Sequence, residues 1–80
     1  MNTAEVLAAI ANGLDVEVGE VNLESTTESI EDWDSLGHLA VLSALDDATG
    51  GKSSELIDLT QAASVKEIID ILTHGGILQE

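Results

Sequence analysis

Leu36, Leu39, Leu42 and Leu45 return every third position between Asp34 and Gly50-Gly51, and Val41 pairs with Leu45 one turn on. Apolar side chains at that spacing share a face only on a helix, and a face this broad suits a helix with more than one neighbour. No proline interrupts this segment or any other, and the abundant Ala, Leu, Ile and Glu favour helix over sheet. The core of such a fold has to be aliphatic, because the chain holds one Trp and neither Phe nor Tyr. Eighty residues, 44 % of them apolar, suffice for one small core and therefore one domain over residues 1–80.

Around this central helix the remaining elements follow from caps and stripes. Thr3 caps a first helix that runs to about Asn12, with Gly13 as its stop. Val6, Leu7, Ile10 and Leu14 form its apolar stripe, and Ala8, Ala9 and Ala11 leave room for a neighbouring helix. Residues 15–34 read as one connection, long enough to imply a task. Val16, Val18 and Val21 are expected to anchor it, with Leu23 and Ile30 plugging the core. The second helix spans Ser35 to about Thr49, with Asp34 or Ser35 as its cap, and Gly37 leaves the backbone open beside Ser35. Ser53 or Ser54 begins a short third helix carrying Leu56, Ile57 and Leu59. Ser64-Val65-Lys66-Glu67 has the form of a capping box. The last helix then aligns Val65, Ile68, Ile69 and Leu72 and ends at His74-Gly75-Gly76. The expected fold is all-α: a small four-helix bundle of three longer helices and one short one, with a long loop between the first two.

Charge narrows the function. Sixteen Asp and Glu face only Lys52 and Lys66, a formal net charge of -14. Nucleic-acid binding needs cations to displace counterions from phosphate, so DNA and RNA are excluded as partners, and anionic membranes repel the chain for the same reason. Basic protein surfaces attract it. Without Cys there is no disulfide, thiolate nucleophile or cysteine-type zinc site. Met1 to Glu5 lacks the basic region and apolar run of a secretory signal, and no stretch is apolar enough over a bilayer's width; the expected location is the cytoplasm.

The residue that most invites chemistry is Ser35, an exposed hydroxyl expected at the start of the most apolar helix. Nucleophilic catalysis would require a base held against it and a third group to orient that base. His38 is three residues on, but no such third group is legible, so no catalytic residue is assigned. An ordinary capping serine accounts for Ser35 in isolation. A modified serine accounts also for its place on a rigid corner, where a phosphodiester would be near the positive end of the helix.

Glu31-Asp32-Trp33-Asp34-Ser35-Leu36-Gly37-His38-Leu39 resembles the attachment motif of the acyl carrier and peptidyl carrier family. Leu59-Thr60 followed by Ser64-Val65-Lys66-Glu67-Ile68 resembles that family's approach to its last helix, so the likeness extends over nearly the whole chain. The resemblance implies a covalent 4'-phosphopantetheine on Ser35, which holds acyl or aminoacyl groups as thioesters. It further implies partners: a phosphopantetheinyl transferase, a loading enzyme and downstream acyl-processing enzymes with basic docking surfaces, all met by a monomeric carrier. Asp34 maps onto the position that assists the transferase. Leu36, His38 and Val41 are candidate contacts beside the arm, and Asp46 and Asp47 are the helical acids left for docking. Val41 and Leu42 could form a small apolar patch, with at least one of them expected in the core. Glu28, Glu31 and Asp32 are expected to form a solvated rim, and Trp33 to anchor the loop. The family's usual Leu-Gly-Ala before the motif is absent, Trp33 directly precedes Asp34, and Thr49 stands where a Phe is frequent; this pattern suits a stand-alone carrier of a specialised pathway. The alternative from another class is an acidic interaction or regulatory module that binds a basic protein without covalent modification.

Overall fold

The computed structural model describes residues 1–79. Its helices are α1 (Thr3–Leu14), α2 (Ser35–Ala48) and α3 (Val65–His74), joined by 3-10 turns at Val18–Glu20, Lys52–Glu55 and Ile57–Gln61. The fold is a three-helix bundle. The four-helix expectation is overturned at its short third helix, which is replaced by the Lys52–Glu55 and Ile57–Gln61 turns. Leu56 divides them at φ -100° and ψ 82°, outside the helical region, so no continuous ladder forms there. The nine residues between Gly51 and Gln61 have to cross from the end of α2 back toward its start, and short tight turns let the chain follow that surface.

The ends of α1 differ from expectation in an instructive way. Asn2, not Thr3, is the N-cap: its side chain accepts from Glu5 N while Glu5 Oε1 accepts from Asn2 N, a complete capping box. Gly13 does not stop the helix. It lies within α1, where an added Cβ would come within 2.8 Å of Ala40 O and Val41 Cα, so α1 and α2 pack backbone to backbone at this point. The reversal falls instead on Asp15, at φ 59°, a left-handed conformation that Asp tolerates better than most residues. At α3, Ser64 accepts from Glu67 N as expected, but the Glu67 carboxylate accepts from Ala63 N instead of closing a box on Ser64.

The core is one aliphatic cluster around Trp33. Val6, Ile10, Val41, Leu45, Val65, Ile68 and Leu72 are fully enclosed, with contributions from all three helices. Within the 15–34 connection, Val21 is buried, and Val16 and Ile30 pack partly against the core. Val18 and Leu23 are exposed, contrary to their expected roles as anchor and plug. The connection is fastened near its middle by an isolated bridge between Thr26 and Ser64, with Thr27 N donating to Ala63 O and Val65 N to Ser25 O. It is thereby tied to the start of α3, and the approach to Ser35 is held in place.

Candidate functional site

The first turn of α2 is set by Asp34. Its Oδ1 accepts from Gly37 N at 2.8 Å, and its carbonyl accepts from His38 N at 2.8 Å, so Asp34 is the N-cap and Ser35 the first helical residue. Ser35 is exposed. Gly37, expected to leave open backbone, instead seats the turn: an added Cβ would overlap the Asp32 carbonyl oxygen and approach Leu14 Cδ2 at 3.0 Å. The loop before Ser35 therefore packs directly on the helix after it, and the hydroxyl is carried on a fixed corner.

Beneath that corner Trp33 is buried to 1 % exposure. Its Nε1 donates to His38 Nδ1 at 3.0 Å, and His38 Nε2 lies 2.8 Å from the Leu59 carbonyl oxygen. An indole N–H can only donate, so Nδ1 is the accepting nitrogen and Nε2 carries the proton that Leu59 O receives. The imidazole thus bridges the loop before α2 to the Ile57–Gln61 turn, with its ring plane 25° from the indole. Both ring nitrogens are committed, which leaves His38 no lone pair to serve as a base toward Ser35. His38, expected as a contact beside the arm, is half-buried, its ring tied into the fold while the residue also lines the neighbouring groove.

Beside this bridge runs an open groove of about 650 Å³. Trp33, Asp34, Ser35, His38, Leu39 and Leu42 form its α2 side, and Thr27 with Thr60, Gln61 and Ala62 forms the other. Leu36 and Leu39 stand out to solvent at 77 % and 62 % exposure, and Ile57 at 77 %. Of these three only Leu39 lines the groove; large apolar side chains left in water beside a Ser at a helix start are more than a small domain needs for its own packing. Leu42, half-buried, lines the groove. Val41 does not join it: fully enclosed against α1, it is out of a partner's reach, which corrects its place among the contact residues. Asp47 is exposed and Asp46 half-buried near the end of α2, while Glu28, Glu31 and Asp32 are exposed around the loop.

The far wall of the groove was not legible beforehand. Leu59 enters through its carbonyl, and a backbone acceptor has no sequence signature. Thr60, Gln61 and Ala62 reach the groove because the 3-10 turns fold back over α2. The Trp33–His38 spacing across a helix start was a usable signal, since a buried indole requires an acceptor for its N–H.

Electrostatically the surface is predominantly negative, with Lys52 and Lys66 as its exposed cationic side chains. Among the described residues the ion pair is Lys66 Nζ to Glu24 Oε1 at 3.4 Å, both side chains well exposed and so of little consequence for stability. No group of side chains suited to a metal ion occurs among the described residues, and none of the described helices is long and apolar enough to cross a membrane. Comparisons with family models, with curated proteins and with solved structures return no match for this chain.

Proposed function

We propose that this chain is a carrier domain, with Ser35 the attachment point of a 4'-phosphopantetheine arm. The observation that supports this best is the exposed Ser35 hydroxyl on a braced helix corner, beside an apolar groove and with the neighbouring His38 occupied elsewhere. The residues present fit such a group. A phosphodiester at Ser35 would meet the positive end of the 14-residue α2, which offsets repulsion from the acids nearby. Attachment requires the Ser35 Oγ to attack the phosphorus of coenzyme A that bears the pantetheine. The O–P bond forms, the bridging P–O bond to the nucleotide breaks, 3',5'-ADP leaves, and the serine proton passes to a base of the transferase. When bound, the arm supplies the thiol that a chain without Cys lacks. Asp34 holds the turn that presents Ser35, and Leu36 and Leu39 offer apolar contact to whichever enzyme docks. Confinement near such an enzyme raises the effective concentration of cargo, and a predominantly negative surface makes docking fast and salt-sensitive.

Intact-protein mass after incubation with coenzyme A and a broad-specificity phosphopantetheinyl transferase tests the reading. The expected result is one added arm, absent in Ser35→Ala. An unmodified wild-type chain, or an arm retained by Ser35→Ala, overturns it. The net charge of -14, with one ion pair among the described residues, favours as second reading an acidic module that binds a basic protein without modification. A chain that takes no arm yet binds basic partners would select that reading.

A further inference from the structure

Next to the Ser35 groove, sharing Leu42 and Thr60 with it, is a second recess of about 300 Å³ by the 3-10 turns, walled by Leu56, Ile57 and Leu59 and bordered by Asp46. Asp46 Oδ1 is enclosed and has no hydrogen-bond partner, alone in this among the described residues. An enclosed polar atom without a partner is costly, and a molecule that brings a donor removes the cost. The end of α2 adds to the demand for a cation, because its last turn carries no basic residue while its carbonyls present partial negative charge.

We propose that the recess receives the tip of a cargo carried from Ser35, and that this cargo is a short acyl group ending in an ammonium. The inference rests on the carrier reading. Eleven residues of helix separate Ser35 from Asp46, about 16 Å along the axis. An extended arm of one phosphate and two amide units reaches on the order of 15–20 Å. The methylenes of a short cargo then lie against Leu42 and Leu59, and its ammonium donates to the Asp46 carboxylate that borders the recess. An acyl chain ending in a methyl group would leave the carboxylate as it is.

The test uses the full chain loaded at Ser35 with hydrolysis-resistant amide analogues of two cargos alike in size, β-alanyl and butyryl. Mass verifies loading, thermal unfolding reads stability, and NMR follows the Asp46 carboxyl carbon. The expected result is a Tm for the β-alanyl form about 4–8 °C above the butyryl form, the shift that about fivefold tighter seating gives a domain of this size. A displaced Asp46 carboxyl resonance should accompany it. Asp46→Asn should abolish the Tm difference, and Asp47→Asn, its exposed neighbour, should preserve it. Equal melting of the two loaded forms overturns the cargo assignment and leaves the carrier reading standing. A difference that persists in Asp46→Asn overturns it as well, by tracing the effect to overall charge. Failure of loading itself counts against the carrier reading and with it this inference.

Discussion

Trp33 brings the largest side chain of the protein into the core and still has its one polar atom satisfied, because Nε1 donates to Nδ1 of His38. His38 in turn reaches the Leu59 carbonyl, so one imidazole fixes the corner that presents Ser35 against the wall of the groove. Removal of the ring orphans the buried indole N–H and leaves the Leu59 carbonyl with Ala62 N as its donor. His38→Ala is therefore expected to cost about 1–3 kcal/mol in urea unfolding, with a red-shifted Trp33 emission as water reaches the indole. An unchanged midpoint together with unchanged emission would show that the bridge carries no weight.

Between elements, the contact that matters most is α1 against α2, and Gly13 makes it possible. The space a Cβ would need is already filled by the backbone of Ala40 and Val41. Backbone cannot swing aside as a side chain can, so Gly13→Ala should destabilise by about 1–3 kcal/mol despite the better helix propensity of Ala. Gly19, in the Val18–Glu20 turn, has nothing within 4 Å of its notional Cβ. Gly19→Ala should stay within about 0.5 kcal/mol of wild type. Denaturation of the two variants side by side separates close packing from a general intolerance of added bulk; equal effects would contradict the packing argument.

At the scale of the molecule, fourteen net negative charges occupy a body with a Cα radius of gyration of 10.9 Å. A compact domain of this length is expected near 11–12 Å, so hydrophobic burial holds the chain together against its own repulsion. Screening should release part of that burden. Between 10 mM and 1 M salt the Debye length falls from about 30 Å to about 3 Å. The melting temperature is expected to rise by about 4–8 °C, equivalent to about 1 kcal/mol. A Tm that is flat or falling with NaCl would show that the charges are already balanced within the fold.

The spacing of Leu36, Leu42 and Leu45, the serine before Val65 and the absence of proline determined by themselves the three longer helices and where α2 and α3 begin, since caps and periodicity act within a few residues, but the fourth, short helix read from the same signals does not form. The position of Ser35 at a helix start was legible for the same reason. Tertiary structure decided what each apolar side chain does: the every-third leucine run includes Leu36 and Leu39 in solvent, while Val41 and Leu45 hold the core. It also decided that Ser53 to Gln61 follow the bundle in tight turns and not as a helix, that Gly13 is a contact and not a stop, and that His38 is a bridge. Those outcomes depend on which backbone atoms from distant parts of the chain arrive beside a residue, and nothing local records them.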